Sequence, residues 1–400
     1  MPSTAPLRSE IERVFPDRPF AIEFWDGSTV PPTNGGGPTF RIQSRKAVGH
    51  ALRAPGQLGI GRAYVTGAIE VDDLDAAMDV VTNWQPPAVD RKDEVKLALA
   101  AVRAGGPMLP PAPPAAELRP KGRLHSIARD RQSVRHHYDL PPEFFKLFLG
   151  ESLTYSCAIF SRGATTLEEA QRTKLDLVCT KLDLQPGQRV LDVGCGWGSW
   201  VIHAAKEYDV QVTGITLSEP QARVARERAA AAGVADKVDI RVQDYRELQG
   251  ERFDAIASIG MVEHVGESQI DVYAAQLRSL VAAGGRLLNH GIARLNPNSP
   301  APGPFSERYV FPDGDPLPLS RIELALERAG FEVEHVEGFR GDYAETLRHW
   351  ARRLDENLDE ATRLAGDERA RVWRLYLRAA RNGFETGFTS IYQVQCHAAS

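Results

Sequence analysis

The stretch "QRVLDVGCGWGSW", Gln188–Trp200, is the part of the sequence that predicts the fold. Apolar residues flank Asp192 on a short buried strand, and Gly194, Gly196 and Gly198 follow where the chain turns into a helix. Glycine lets the backbone come close to a ligand, and a helix N-terminus attracts negative charge. The stretch therefore predicts a ligand-binding turn between a strand and a helix.

The spacing of these glycines indicates the kind of ligand. It is G-x-G-x-G rather than the G-x-G-x-x-G of dinucleotide-binding folds. With Asp192 two residues before the first glycine and Cys195 inside the turn, the pattern matches the first motif of class I S-adenosylmethionine (SAM) methyltransferases. A glycine-rich turn without a ligand is the alternative, and the complete strand–turn–helix frame disfavours it.

Strands and helices alternate after this turn. The strand-like segments are "VQVTGITLS", "VDIRVQDYREL", "FDAIASIGMVEHV" and "GGRLLNHGIARL", and helical segments separate them. Such alternation predicts an α/β fold with a parallel sheet covered on both faces. The expected architecture is the Rossmann-like sheet of class I SAM methyltransferases.

A segment rich in proline and glycine divides the chain. Residues 104–122, "AGGPMLPPAPPAAELRPKG", cannot continue a helix or a sheet and predict an extended linker. Residues 1–103 before it contain strand-like and helical segments and predict a small α+β accessory domain. Residues 123–400 are expected to form the catalytic domain.

Composition and charge limit the partners. The net charge of -5 argues against a general nucleic-acid binder, which would be basic. The four cysteines form no CxxC pair, so neither a zinc site nor a disulfide framework is indicated. No signal-peptide pattern or run of 18 apolar residues is present. A cytoplasmic protein is expected, with any membrane contact made from its surface.

Polar residues after the second and third strands are candidates for the rest of the cofactor pocket. The segment "GITLSEPQ" offers Thr216, Leu217, Ser218 and Gln221 near the ribose or methionine end, where a carboxylate is usual. Asp244 and Tyr245 follow the third strand and would meet the adenine. Serine and aspartate also favour helix starts, so capping is the alternative.

The carboxyl edge of the sheet is where open α/β folds bind ligands. Glu263 and His264 end the fourth strand, and His290 and Ile292 lie in the fifth. With Cys157, they suggest an acid–base or anion site. Each residue alone also has a purely structural interpretation: Glu263 as a helix cap, His290 as a core histidine and Cys157 as a small apolar residue. The Asn/Asp-Pro-Pro-aromatic loop of amino-methylating nucleic-acid enzymes is not in the sequence, so a nucleobase amine is not the expected target.

Several motifs together resemble one family. They are "HHYD…FFKLFLG…TYSCAIF", "VLDVGCGWGSW", "GITLSEPQ", "GMVEHVG", "NHGI" and "GDYAETL". From about His125 to the C-terminus the sequence resembles the cyclopropane-fatty-acid synthases, which use SAM to alkylate cis double bonds of acyl chains. The N-terminal unit resembles the extra domain of members that act on membrane phospholipids. The resemblance implies helical insertions that cover a lipid tail.

The resemblance also assigns residues. Those implied to line the SAM pocket are Tyr155, Ser156, Asp192, Gly194, Cys195, Gly196, Gly198, Thr216, Leu217, Ser218, Gln221, Asp244 and Tyr245. Those implied to hold a bicarbonate ion, which serves as the base, are Cys157, Glu263, His290, Ile292 and Tyr343. Aromatic faces such as Tyr138, Phe144 and Tyr343 would stabilise the carbocation that forms on the acyl chain.

One departure from the family pattern concerns the product. Most relatives have aspartate-proline where this chain has Gly150-Glu151, which adds a carboxylate six residues before Cys157. A catalytic Glu151 could steer the cation towards an exocyclic methylene instead of a cyclopropane, and a separate reductase would then make a methyl branch. A solvated loop glutamate is the equally weighted alternative.

The C-terminal helices suggest how the protein meets its substrate. Arginines recur there beside Trp350, Trp373 and Tyr376 and could contact anionic headgroups at the inner face of the membrane. Salt bridges to neighbouring acids are the alternative. The resemblance implies a homodimer formed through the N-terminal domain. Two other functions stay open, a methyltransferase of a soluble small molecule and a non-catalytic protein that binds SAM or lipid.

Overall fold

The computed structural model describes residues 3–107, 109, 111–119, 121–138, 140–296, 298 and 303–399, with the backbone alone for 134–138. These residues form two compact units. One consists of Met1–Leu118, Gly303–Val310 and Leu358–Asn382. The other consists of Arg119–Pro302, Phe311–Asn357 and Gly383–Ser400. No helix in the described part of the chain is both long and apolar enough to cross a membrane.

The strands and helices are numbered in chain order. The strands are β1 (Ala21–Glu23), β2 (Thr29–Val30), β3 (Thr39–Ile42), β4 (Ile69–Val71), β5 (Arg189–Val193), β6 (Gln211–Thr216), β7 (Val238–Val242), β8 (Phe253–Ile259), β9 (Val281–Arg294), β10 (Phe331–Gly338) and β11 (Thr389–Ala398). The helices are α1 (Ala5–Val14), α2 (Lys46–Arg53), α3 (Gln57–Val65), α4 (Leu74–Asn83), α5 (Arg91–Gly105), α6 (Ile127–Tyr138), α7 (Pro142–Leu149), α8 (Leu167–Lys181), α9 (Ser199–Glu207), α10 (Glu219–Ala231), α11 (Ile270–Leu280), α12 (Pro304–Tyr309), α13 (Leu319–Arg328), α14 (Arg340–Glu356), α15 (Leu358–Ala365) and α16 (Asp367–Glu385). Short 3₁₀ helices span Tyr245–Glu247 and Val262–His264.

The larger unit is built on a seven-stranded sheet in the order β10-β11-β9-β8-β5-β6-β7. The strands from β9 to β7 run parallel, and β11 pairs antiparallel with both β9 and β10. Helices lie in the connections between the parallel strands. The predicted α/β fold with a parallel sheet is therefore confirmed. The strands β10 and β11 were not predicted.

Alternation along the central strand divides the core into two layers. Leu191 and Val193 pack in one hydrophobic cluster with Ile256 of β8, whereas Val190 packs in another with Val212 of β6. Successive side chains of a strand point to opposite faces, so each face of the sheet is covered by apolar residues. This packing fixes the carboxyl ends of β5, β6 and β8 at one edge.

The smaller unit has a four-stranded sheet in the order β2-β1-β3-β4. Helix α5 contributes Ala100 and Ala104 to its core, beside Leu7 of α1 and Phe24. The described residues of the predicted linker that follow Gly105 belong to no helix or strand.

The two compact units do not follow the predicted domain bounds along the chain. Helices α15 and α16 up to Asn382 group with the N-terminal unit, although 123–400 was predicted as one domain. Ion pairs link α16 to the N-terminal segment of the same unit. Arg371 of α16 contacts Glu70, and Arg378 and Arg381 both contact Asp75, at 3.1 and 2.8 Å.

Candidate active site

The glycine turn after β5 has the conformation that its sequence requires. Gly194 and Gly198 have φ values of 91° and 80°, in the left-handed region that L side chains rarely adopt. A Cβ on Gly198 would stand 3.0 Å from the Cβ of Ala225. The backbone N–H groups of Gly194 and Cys195 both donate to the carbonyl of Ile215, at 3.0 and 2.9 Å. The turn is thereby held against β6.

A cavity of about 80 Å³ opens at this turn. Its lining residues are Leu153, Thr154, Tyr155, Ser156, Lys174, Asp192, Gly194, Cys195, Gly196, Trp197, Ser199, Trp200, Gln221, Ile259 and Gly260. Seven of the residues predicted for the cofactor are in this set. The predicted Gly198, Thr216, Leu217, Ser218, Asp244 and Tyr245 are not.

The residues after β6 position Gln221, which lines the cavity. The Thr216 hydroxyl donates to Oε1 of Gln221 at 2.8 Å, so it orients a side chain that lines the cavity. The Ser218 hydroxyl accepts from the Gln221 backbone N–H at 3.3 Å and caps α10. Capping, one of the two alternatives, therefore describes Ser218. Leu217 is half-buried between them.

Asp244 and Tyr245 lie after β7, as predicted, but structural contacts occupy the aspartate. Asp244 caps a 3₁₀ helix, and its carboxylate accepts two hydrogen bonds from the Arg246 guanidinium, at 2.8 and 2.7 Å. Arg246 also donates to Asp130 of α6 at 2.7 Å. Tyr245 is buried with its ring edge-on to Tyr273.

A buried lysine, which the sequence analysis did not identify, is the main cation of the cavity. Lys174 of α8 is 1% exposed, and its Nζ donates to the Ser156 hydroxyl at 2.9 Å. Gln171, one turn earlier, donates to the Ser156 carbonyl at 2.9 Å. Burial lowers the pKa of Lys174 to about 8. The sequence signal, two polar residues three apart on the buried face of α8, is weak because such pairs are common on solvated faces.

Asp192 is the matching anion. Burial raises the pKa of its carboxyl to about 7, and the nearby Lys174 ammonium acts in the opposite direction. Its Oδ1 is buried and has no hydrogen-bond partner among the described residues. A buried carboxylate oxygen without a donor is costly. The cavity thus presents one ammonium and one unsatisfied carboxyl oxygen to whatever binds there.

His290, on β9, anchors a second polar cluster. Its Nδ1 is 3.0 Å from the amide nitrogen of Gln393 on β11. Because an amide nitrogen only donates, Nδ1 accepts and the ring proton is on Nε2. Burial, with the Lys174 and Lys181 charges, lowers the pKa of His290 to about 3, so the ring is neutral at pH 7. Nε2 is buried and has no partner within the described residues.

Glu263 reaches the same region from the end of β8. It lies in the 3₁₀ helix Val262–His264, and a Cβ on Gly291 would be 3.1 Å from its Oε2. The pKa of Glu263 is raised to about 7. Burial raises it, and backbone N–H groups, that of Ile292 included, act in the opposite direction. Oε2 also lacks a hydrogen-bond partner in the described part of the chain. The carboxyl is therefore poised between its two protonation states near neutrality.

Phe339 connects the remaining predicted residues to His290. Its ring stacks on the His290 ring with centroids 6.3 Å apart. Its carbonyl accepts from the Tyr343 backbone N–H at 3.0 Å and lies 3.9 Å from Sγ of Cys157. Burial raises the pKa of the Cys157 thiol well above its usual range, so it stays protonated. Phe339 thus links Cys157, His290 and Tyr343, whereas Glu263 contacts the Gly291-Ile292 backbone next to His290.

The cavity and this cluster, which we call the polar cluster (Cys157, Glu263, His290, Ile292, Tyr343), are adjacent. Gly260 lines the cavity, and its N–H donates to the His290 carbonyl at 2.8 Å. Ser156 of the cavity is next in sequence to Cys157 of the cluster. One edge of the sheet therefore carries both sites.

Aromatic side chains surround these sites. Phe144, Phe145 and Phe148 of α7 are fully buried, and Phe145 packs on Trp197 of the cavity with centroids 4.7 Å apart. The Tyr343 ring packs on Phe384 with centroids 4.6 Å apart. The side chain of Tyr138, the third predicted aromatic, lies outside the described residues.

Glu151 is not brought to the site. Its side chain is 88% exposed and pairs with Lys146 at 2.9 Å. The loop before Leu153 turns the carboxylate towards solvent, so proximity to Cys157 in sequence does not become proximity in space. The alternative of a solvated loop glutamate describes the structure, and the proposed role in product choice has no structural support.

Comparison with known proteins identifies the family. The family model for mycolic acid cyclopropane synthetase matches residues 125–394. The chain belongs to this family. Its members are SAM-dependent methyltransferases of the cyclopropane-fatty-acyl-phospholipid synthase type.

Similarity to individual proteins extends beyond residues 125–394. The chain is 37% identical over 389 residues to the probable fatty acid methyltransferase Rv3720 of Mycobacterium tuberculosis, covering 94% of this chain and 90% of that one. It is 33% identical over 344 residues to the cyclopropane-fatty-acyl-phospholipid synthase of Escherichia coli, covering 85% and 82%. The solved mycolic acid cyclopropane synthase CmaA1, complexed with SAH and CTAB, is 33% identical with a TM-score of 0.63, covering 67% of this chain and 98% of that one.

Proposed function

We propose that the protein transfers the methyl carbon of SAM to the cis double bond of an unsaturated acyl chain in a membrane phospholipid. The observation that carries the proposal is the polar cluster beside the glycine-turn cavity. Two of its buried atoms, His290 Nε2 and Glu263 Oε2, have no hydrogen-bond partner among the described residues. Gly260, which lines the cavity, bonds to the His290 carbonyl.

The cavity fits SAM by its charges and its backbone. The amino-acid end of SAM carries an ammonium and a carboxylate. Asp192 offers an unsatisfied carboxyl oxygen to the ammonium, and Lys174 offers N–H donors to the carboxylate. The glycine turn leaves open space at Gly196, where an added Cβ would meet no atom within 4 Å.

The polar cluster fits a small anion such as bicarbonate. Neutral His290 donates through Nε2–H, and Glu263 donates when its carboxyl is protonated. The Cys157 thiol is protonated, so the cluster holds no fixed negative charge that would repel the anion below the pKa of Glu263. When bound, SAM supplies an electrophilic methyl group and bicarbonate supplies a base.

The residues of the chain contribute by positioning the reacting groups and excluding water. An alkene is a weak nucleophile, so alignment with the methyl group has to come from binding. The buried phenylalanines of α7 exclude water from an apolar tail, and the Tyr343 ring offers a π face to positive charge on the acyl chain. His290 and Glu263 hold the proton acceptor beside the position where the charge develops.

We infer a methylene-branched acyl chain as the first product, which a separate reductase would convert to a methyl branch. The support is similarity to a fatty acid methyltransferase over 94% of the chain. The cyclopropane product is the alternative, supported by similarity to the Escherichia coli synthase. The homodimer and the cytoplasmic location at the inner membrane face stay predictions.

The decisive experiment measures lipid-dependent turnover. The protein is incubated with SAM, with and without dioleoyl phospholipid vesicles, and S-adenosylhomocysteine and fatty acid methyl esters are quantified by mass spectrometry. We expect S-adenosylhomocysteine only with lipid, together with an acyl chain heavier by 14 Da for methylene or cyclopropane, which chromatography separates. Glu263→Gln, which keeps the shape of the side chain, should abolish the product. S-adenosylhomocysteine formed equally without lipid would refute lipid as the methyl acceptor. No formation with lipid would refute the proposal, because neither a methyltransferase of a soluble substrate nor a non-catalytic protein would consume SAM in this mixture.

A further inference from the structure

Helix α5 of the smaller unit has one face in the core and one in solvent. Asp93, Leu97, Ala100 and Ala104 lie on the inner face at spacings of four, three and four residues, and the two alanines are buried. The opposite face therefore belongs to the residues half a turn away. What that face carries is unusual for a surface helix.

Three apolar side chains form a stripe on the outer face. Val95, Leu99 and Val102 are each 51% exposed and are spaced by four and three residues. Leu109, just beyond the end of α5, is 91% exposed. Single exposed apolar residues need no explanation, but an aligned stripe on a helix marks an interaction surface.

Basic side chains border this stripe. Lys92, Lys96 and Arg103 are exposed and share the face with Leu99, at spacings of four, three and four residues. Lys96 has an acid, Asp93, at 3.7 Å, but Asp93 is already engaged by Arg13 at 2.6 Å. Arg91 is exposed on the other side of the stripe, and the exposed acid Glu94 lies further round the helix.

We infer that the outer face of α5 is the surface by which the protein docks on an anionic phospholipid bilayer. An apolar stripe between lysine and arginine side chains is the pattern of helices that lie in the membrane interface, with the stripe among the acyl chains and the cations on the headgroup phosphates. The inference rests on the proposed function, because an acyl chain within a bilayer can be reached only by a protein held at the surface.

The charges also select the bilayer over a second copy of the chain. In a symmetric dimer through this face, the side with Lys92, Lys96 and Arg103 would meet either the same side or the Arg91 side of the other copy. Like charges brought together in this way oppose association. An anionic surface neutralises them instead.

The inference differs from the expectation based on the arginine-rich C-terminal helices. In those helices Arg353 pairs with Glu168 at 2.8 Å, and Arg378 pairs with Asp75 at 3.1 Å. Arg363 pairs with Glu360 at 2.5 Å. These pairs favour the salt-bridge alternative for that region and leave α5 as the better basic surface.

The test is vesicle co-sedimentation of the full-length protein. Vesicles contain phosphatidylcholine with or without phosphatidylglycerol, at low and high salt. We expect binding to the anionic vesicles only, and weakening by salt. The double variant Val95→Ser/Leu99→Ser and the triple variant Lys92→Glu/Lys96→Glu/Arg103→Glu should each bind about tenfold more weakly or worse. The control Val272→Ser removes a 47% exposed valine from α11 and should bind as the unmodified protein does.

Two results would overturn the inference. One is vesicle binding that neither set of substitutions weakens. The other is a lower sedimentation coefficient of the lipid-free variants, which would make the face an interface between copies. Turnover of oleoyl phospholipid dispersed in detergent separates this inference from the proposed function. The variants should keep that turnover, whereas failure of the unmodified protein to turn over the dispersed lipid would refute the function and leave the docking result standing.

Discussion

Replacing Lys174 with methionine should stabilise the protein and at the same time weaken its hold on the cofactor. The buried ammonium of Lys174 costs stability, since burial removes its hydration. Methionine has a similar length and is apolar, so it fills the same space without that penalty.

The size of the stability gain can be worked out from the pKa of Lys174, which burial lowers from 10.5 to about 8. At about 1.36 kcal/mol for each pH unit, that difference corresponds to roughly 3 kcal/mol of lost stability at pH 7. Loss of the Ser156 hydrogen bond and of the charge beside Asp192 offsets part of it. We expect Lys174→Met to be more stable by about 1–3 kcal/mol at pH 7.

The pH dependence has a definite sign. Between pH 8 and 10.5 the unfolded chain binds more protons at this lysine than the folded protein does, so the stability of the unmodified protein rises with pH in that window. The penalty is complete below about pH 8 and gone above 10.5. The advantage of Lys174→Met should therefore be large at pH 7 and nearly absent at pH 10.5.

The assay combines thermal denaturation at several pH values with calorimetric titration of S-adenosylhomocysteine. Loss of charge-assisted hydrogen bonds to the ligand carboxylate should weaken binding about tenfold or more. Lys181→Met is the matched control, because Lys181 is paired with Glu337 at 2.6 Å and does not line the cavity. Burial lowers the pKa of Lys181 too, but the Glu337 pair acts in the opposite direction. Lys181→Met should therefore change stability less than Lys174→Met does and leave ligand affinity unchanged. A Lys174→Met protein that melts earlier at pH 7 and binds the ligand normally would refute the reasoning.

Two further substitutions test the turn and the loop. Gly198→Ala should lower stability by roughly 1–3 kcal/mol, since it adds left-handed strain and a contact 3.0 Å from Ala225. Gly187→Ala, with φ of 83° and open space at its Cβ, adds only the strain, so equal losses in a denaturant titration would remove the steric argument. Glu151→Gln should leave the ratio of methylene to cyclopropane product unchanged, because the side chain is 88% exposed. A changed ratio in the methyl ester profile would restore the hypothesis that Glu151 steers the cation.

Local sequence patterns were sufficient for the frame of the site. The glycine spacing after β5 and the alternation of strands and helices are short-range signals, and the structure has both. The residues at strand ends, such as Glu263 and His290, could be placed because parallel strands bring their carboxyl ends to one edge. Their roles still depended on resemblance to a family.

What the sequence did not reveal depends on pairing between distant segments. Strand β11 enters the sheet between β9 and β10 and brings Gln393 to His290, a partner 103 residues away. The buried position of Lys174 has no local mark either, because lysine is usually exposed. Conversely, Glu151 is near Cys157 in sequence but faces solvent, since a loop can reverse the direction of a side chain within a few residues.

Strand β11 is the last strand to be synthesised, although it pairs with β9 in the sheet. The ribosome makes His290 about 100 residues before Gln393, an interval of roughly 5–20 s at usual rates of translation. During that interval β9 lacks its neighbour and the imidazole lacks the amide that fixes its proton on Nε2. On the proposed function, cofactor binding at the glycine turn therefore does not need β11, whereas the orientation of His290 does.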